Sequence, residues 1–232
     1  FQAKAEQQGA PILFAEHNKE VTNWQFSQQG GIDYQTRSLG ALHGQLGGEY
    51  QAKNANTILA AIDVLQGKAR AKGLPEAPIF QISDQHVADG FANVCESTGL
   101  QGRWQTLHQH PLVVCDTGHN AAGWTYLAEQ IAMQKCQHKH IVFGMVDDKD
   151  ISAVMDMLPK DATYYWTQAS THRAVPSAKV AQMGQQRHLQ GDDCGNVEKA
   201  YRKAMEKAGQ NDFVFVGGSS YVVADLLALN DF

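Results

Sequence analysis

The sequence predicts an α/β protein whose second half is a Rossmann-like, mostly parallel sheet flanked by helices. Two observations carry this expectation. From Leu112 onward, short apolar and β-branched runs alternate with apolar stripes at three- and four-residue spacing. Several of those runs also end in turns rich in Gly, Asp and Ser, the usual punctuation between strand and helix.

The first half is less regular. A polar, helix-prone opening precedes Pro11 to Ala15, which reads as a strand, and Ile32 to Leu42 suggests an extended stretch ending near Gly44. Gly47-Gly48 leads into a helix carrying Ile58, Leu59, Ile62 and Leu65, with Asn54 close to its start, and Val87 to Val94 reads as a second short helix. The polar run Thr106-Leu107-His108-Gln109-His110 separates the two patterns and places a boundary near Gln105 to Gln109. Beyond it, Leu112 to Asp116 reads as a buried strand, followed by a helix with Trp124, Leu127, Ala128 and Ile131 on one face. His140 to Gly144 is the next strand, Ile151, Val154, Met155 and Leu158 mark a helix, and Thr163 to Thr167 is another strand. A helix through Val180 and Met183 follows Pro176, which suits a first helical turn. Gly191 to Gly195 reads as a loop; Val197, Ala200, Tyr201, Ala204 and Ala208 form a stripe, Phe213 to Val216 a strand, and Tyr221 to Leu229 the last helix.

The chain has 232 residues, 43% hydrophobic and 19% charged, enough for a sizeable core. No run approaches the roughly 20 apolar residues that cross a bilayer, and the start has no apolar signal core, so no membrane association is expected and the location is expected to be cytoplasmic. The polar opening on Phe1 rather than Met suggests a chain that was processed or cut. Cys95, Cys115, Cys136 and Cys194 lie far apart with no Cys-x-x-Cys pair, so they read as reduced thiols, not as a zinc or redox motif. Net charge is −5, and the short basic stretch Lys135 to His140 is too small for a nucleic-acid footprint.

The most informative segment is Leu112-Val113-Val114-Cys115-Asp116-Thr117-Gly118-His119-Asn120, a strand ending in an acid that turns into a helix. Carboxyl ends of parallel strands open onto ligand crevices, and a helix N-terminus offers unpaired N–H groups to anions. An Asp there accepts from sugar hydroxyls and a nearby His donates to phosphate or carboxylate. The plainer alternative is that Asp116 caps the helix and His119 lies on the surface. Phe215-Val216-Gly217-Gly218-Ser219-Ser220 is a second such turn, suited to a carboxylate or phosphate or to an ordinary bend. Val142-Phe143-Gly144-Met145-Val146-Asp147-Asp148-Lys149-Asp150 is a third, in which Asp150 could cap the next helix. A phosphate loop, Gly-x-x-x-x-Gly-Lys-Ser/Thr, is absent: before Gly67-Lys68 the first glycine is replaced by Ile62, and Ala69 stands in the hydroxyl position.

In order, Tyr50-Gln51-Ala52-Lys53-Asn54-Ala55, Gly102-Arg103, Asp116 to Asn120, Phe143-Gly144 to Lys149-Asp150, His172-Arg173-Ala174 and Gly218-Ser219 resemble the signature positions of the folylpolyglutamate synthase/dihydrofolate synthases of the Mur ligase family. The resemblance covers essentially the whole chain. It implies that residues 1–106 are the C-terminal part of the central ATP-binding domain and 107–232 the C-terminal Rossmann-like domain, with the phosphate loop and the Mg²⁺ ligands before Phe1. It assigns Asn54 to the adenine, Arg103 to the nucleotide phosphates, Asp116 to the ribose and His119, as the catalytic residue, to the phosphates and incoming glutamate. Arg173 and Ser219 fall in the glutamate pocket, and no metal ligand lies in this chain. Two positions depart from the family pattern: Tyr50 stands where its frequent His precedes Gln, and Asp-Thr-Gly-His-Asn replaces Asp-x-Ala-His-Asn.

What the resemblance implies is an ATP- and Mg²⁺-dependent ligase that adds L-glutamate to a folate or dihydropteroate through an acyl phosphate, as a monomer, the present chain being inactive alone. Another Mur-type amino-acid ligase and a non-catalytic nucleotide-binding module are the alternatives.

Overall fold

The computed structural model describes residues 1–69, 73–74, 77–147 and 150–230. The chain forms two compact units, Phe1–Leu100 and Gln101–Phe232. The division comes six residues before the 106/107 boundary expected from the sequence, because the polar run is not a linker. Gln105–Gln109 is instead a strand, paired antiparallel with the one that follows it.

In the first unit, helix α1 (Gln2–Gln8) ends at Gly9, whose φ of 61° suits the missing Cβ. Pro11 to Ala15 is not the expected strand; it is irregular and enters a single 3₁₀ turn, Ala15–His17. Pro11 has no N–H to give a ladder, so an apolar run alone does not make a strand there. The expected extended stretch is a hairpin, β2 (Ile32–Thr36) and β3 (Gly40–Gly44), and β1 (Val21–Phe26) adds a third antiparallel strand. Strand β1 escapes a period-two reading because its register shifts between Val21 and Asn23. Helix α2 (Gln51–Leu65) lays Ala55 and Leu59 on a core of Ile32, Tyr34, Leu42 and Val87. Helix α3 (Asp84–Ala92) starts with a capping box between Ser83 and His86, and α4 (Val94–Thr98) stops at Gly99 with φ 70°.

The second unit has β4 (Gln105–Gln109), β5 (Leu112–Asp116), α5 (Ala121–Ala132), β6 (Lys139–Phe143), α6 (Ile151–Met157), β7 (Ala162–Gln168), α7 (Ser177–Gln185), β8 (Gln190–Asn196), α8 (Val197–Lys207), β9 (Phe213–Gly217) and α9 (Ser220–Leu227). The strand order is β4-β5-β9-β6-β7-β8, parallel except for β4. Gly191 to Gly195, expected as a loop, lies within edge strand β8, where one exposed side removes the need for an apolar pattern.

Each step from β5 through β8 moves one way across the sheet, and α8 carries the chain back to insert β9 between β5 and β6. Right-handed crossovers therefore put α5 to α7 on one face and α8 with α9 on the other. Period-two alternation supplies both faces. Val113, Cys115, Val142, Tyr165, Val214 and Val216 pack toward Ala200, Tyr201, Ala204, Val222 and Leu226. On the opposite face the fully buried Trp124 meets Phe143 and Phe215 edge-on, at centroid distances of 5.5 and 5.8 Å. Burial pushes the Cys115 thiol up to about 12, so it behaves as an inert core group. No helix among the described residues is long and apolar enough to cross a membrane.

At the amino end of the sheet Asp212 is 5% exposed. Its Oδ2 accepts from the Gly209 N–H (2.8 Å) and meets His140 Nε2 (3.2 Å), and Oδ1 accepts from the His138 N–H (3.0 Å). Burial works against its charge, but the Gly209 N–H, His140 and the His138 N–H outweigh it and hold the carboxyl below the usual range. A folded-state value lower than the unfolded one gives stability that is present at neutral pH and lost as pH falls through the folded value. Asp212→Ala is expected to cost about 2–4 kcal/mol at neutral pH by leaving buried N–H groups unpaired. In unfolding experiments at stepped pH, its difference from the parent should shrink under acid; a gap that widens there would contradict this assignment.

Candidate functional site at the carboxyl ends of the parallel strands

Three of the expected segments emerge side by side. Asp116, Gly217 and Phe143 are register partners across β5, β9 and β6, so the turns after them leave one edge of the sheet within roughly 10 Å. β7 lies next, with Trp166 opposite Phe143, and the turn after it carries Arg173. Close backbone approach makes glycine necessary here. A Cβ on Gly217 would lie 2.7 Å from the Phe215 ring and 2.8 Å from the Asp116 carbonyl oxygen, and Gly218 adopts φ 100° beside Phe143 and the Gly144 carbonyl.

Asp116 is 1% exposed and does not cap α5. Its Oδ1 accepts from the Gly118 N–H and its Oδ2 from the Trp104 N–H, both at 2.7 Å. The carboxylate thus joins the turn after β5 to the loop before β4. That loop is held further by the Thr117 N–H, which donates to the Gly102 carbonyl (2.9 Å), and by the Gly102 N–H, which donates to Gln105 Oε1 (2.8 Å). Trp104 sits at φ 48°, its ring stacked on Phe213 at 6.3 Å, so packing offsets an unfavourable backbone conformation.

Within this frame Arg103 and His119, both half-buried, converge on Thr117. The Arg103 guanidinium donates from Nη1 to the Thr117 hydroxyl, and His119 Nδ1 lies 3.0 Å from the Thr117 carbonyl oxygen. A bond to a carbonyl requires the proton on Nδ1, so Nε2 accepts in the neutral ring and donates only in the imidazolium. Asn120 caps α5, its side chain accepting from the Gly123 N–H at 2.8 Å. Trp124 Nε1 donates to the Gly118 carbonyl (3.1 Å), tying the turn to the aromatic core.

The remaining expected residues are placed more loosely. Ser219 is 1% exposed and caps α9, accepting from the Val222 N–H (3.2 Å), which leaves its own hydroxyl proton as a donor. Arg173 is half-buried on a loop tied to α9, where Ser170 N–H and Oγ donate to Asp225 (2.6 and 2.7 Å); its carbonyl accepts from the Asp147 N–H (3.0 Å). Asp150 caps α6, accepting from the Ala153 N–H (3.1 Å), while Asp148 and Lys149 fall outside the described residues. In the first unit Asn54 is exposed near the start of α2 and donates to Gln51 Oε1 (2.9 Å). Sequence reasoning missed Trp104 and Thr117: a main-chain N–H and a β-branched hydroxyl between two charged residues carry no recognisable pattern.

The arrangement offers a fixed guanidinium, an imidazole and the N-terminus of α5 on one rim, a combination suited to an oligophosphate or carboxylate. Among the described residues no group of three His, Cys, Asp or Glu side chains is placed to hold a metal ion.

Comparison with known proteins identifies the domain that carries this turn. Residues 102–220 match the family described as Mur ligase, glutamate ligase domain. The chain is similar to the dihydrofolate synthase/folylpolyglutamate synthase of Escherichia coli K12, 30% identical over 179 residues, covering 77% of this chain and 38% of that one. Among solved structures it resembles a bifunctional folylpolyglutamate synthase/dihydrofolate synthase with Mn, AMPPNP and L-glutamate bound, at 25% identity and TM-score 0.66, covering 100% of this chain and 50% of that one. The fold is shared with the Mycobacterium tuberculosis folylpolyglutamate synthase complexed with ADP and AMPPCP, at TM-score 0.79 and 22% identity over 100% of this chain and 52% of that one. The chain therefore spans about half or less of the length of these relatives.

Proposed function

Because the chain belongs to the Mur ligase family through its glutamate ligase domain, we propose that it supplies one side of the nucleotide and glutamate site of an ATP-dependent ligase. That ligase would join L-glutamate to a folate or dihydropteroate. The observation that supports this best is the turn after β5, where Asp116 locks the backbone and Arg103 and His119 are gathered on Thr117.

In the proposed reaction ATP activates the acceptor carboxylate as an acyl phosphate, and the α-amino group of glutamate attacks it to give an amide, ADP and phosphate. Negative charge grows on phosphate oxygens at each stage. Arg103 is proposed to bind those oxygens, and His119 to donate to them or to the incoming glutamate from Nε2 when protonated. Asp116 holds the turn in shape before ligand arrives; its assignment to the ribose rests on the family resemblance, since both carboxylate oxygens already accept from main-chain N–H groups. Asn54 is proposed for the adenine, and Arg173 with the Ser219 hydroxyl for the glutamate carboxylates.

The test is ADP release that depends on ATP, L-glutamate and either dihydropteroate or tetrahydrofolate, from this chain joined to a polypeptide carrying a phosphate loop. The chain alone is expected to turn nothing over. In the joined enzyme Arg103→Ala should lower the rate about a hundredfold; an unchanged rate would remove Arg103 from the site.

A further inference from the structure

We propose that Thr117 is a positioning residue that orders the Arg103 guanidinium in advance of an anionic ligand, an inference that rests on the nucleotide reading above. The Thr117 main chain is fixed on both sides, by its N–H on the Gly102 carbonyl (2.9 Å) and by its own carbonyl on His119 Nδ1 (3.0 Å). Its side chain is fixed as well. Gly102 has φ 71°, and a Cβ there would lie 2.7 Å from Thr117 Cγ2 and 2.9 Å from Val223 Cγ1, so the threonine methyl occupies the space beside the glycine. A β-branched residue with its methyl seated has little freedom at χ1. The hydroxyl is thereby turned toward Arg103, whose Nη1 donates to it.

A guanidinium carries five N–H donors in a rigid fork. Among the described residues the Arg103 side chain has no hydrogen-bond or ion-pair partner besides Thr117, which leaves four donors for ligand oxygens. Holding a long side chain in place beforehand removes part of the ordering cost that binding would otherwise carry. Thr117 does this from behind the guanidinium. It also links the guanidinium and the imidazole of the rim, since a shift of its main chain would move Arg103 and His119 together.

The experiment titrates ADP into this chain and into its Thr117→Val, Thr117→Ser and Arg103→Ala variants, following amide and guanidinium signals by NMR. Valine keeps the branched shape and the methyl contact but removes the acceptor; serine keeps the acceptor. Unchanged β5 and β9 amide shifts confirm folding, and Thr117→Ala serves if the valine variant does not fold. Thr117→Val is expected to bind ADP about five- to tenfold more weakly and to lose the slowed rotation of the Arg103 Nη groups, with serine restoring both. Parent-like affinity in Thr117→Val alongside weakened binding in Arg103→Ala overturns the positioning role. Parent-like affinity in Arg103→Ala instead overturns the nucleotide reading, and the role of Thr117 with it.

Discussion

Asp116→Ala is expected to destabilise the second unit by about 3 kcal/mol and to abolish nucleotide binding by this chain, a double loss that Arg103→Ala should not share. The Trp104 and Gly118 N–H groups both end on this nearly inaccessible carboxylate, and alanine leaves both donors without an acceptor. Asp116→Asn should fare little better, because one end of an amide would set its own N–H₂ against a main-chain N–H. With Trp104 released from φ 48°, the Gly102 to Gln105 loop loses the anchor that aims Arg103. A chain of two compact units need not unfold in one step, so the loss is best read from hydrogen exchange at β5 and β9 amides. Exchange as slow as in the parent would show that the carboxylate does not hold the turn.

The second large effect is expected at Trp124. This side chain is fully buried, lies edge-on to Phe143 and Phe215, and bonds the Gly118 carbonyl at 3.1 Å. Trp124→Ala removes the ring from the packed face beneath β5, β9 and β6 and should cost about 3–5 kcal/mol. Trp124→Phe keeps an aromatic body and loses the indole donor, for a cost of about 1 kcal/mol plus imperfect filling. The contrast separates packing from the bond to the turn. If thermal unfolding of the two variants coincides, the indole N–H and not the ring is the main contributor, which would overturn the packing role given to Trp124.

Much of this was legible in the sequence where hydrophobic pattern and turn chemistry agree. Leu112 to Asp116 is a strand to the residue, because an apolar run buried on both faces ends at a polar residue and a glycine. The turn that carries the candidate site was legible for a related reason: an Asp at a strand end followed by Gly118 and a helix cap marks the passage from a parallel strand to its helix. Strand β8, Gln-Gly-Asp-Asp-Cys-Gly-Asn, was not legible, since its order comes from pairing with β7 across one edge and its side chains bury little. Strand β4 is hidden in the same way, since its polar sequence reads as a boundary. Pro11 to Ala15 shows the converse, an apolar run with no ladder to join. Within the site, Asp116 emerged as the organiser of the turn rather than a helix cap, because its partners are main-chain N–H groups, one of them twelve residues away. Such a partnership depends on tertiary placement and leaves no local trace.

On the proposed reading, a nucleotide anion is received at the carboxyl ends of β5, β9 and β6, on the rim built by Arg103, Thr117 and His119. The most direct test of that reading is an amide-resolved NMR titration of this chain with ADP. Weak binding should shift Gly102 to Trp104 and Thr117 to Asn120 first, with Gly144 and Gly218 following. Shifts confined to the opposite end of the sheet, around His138 to His140 and Gly209 to Asp212, or no shift at millimolar ADP, would contradict it.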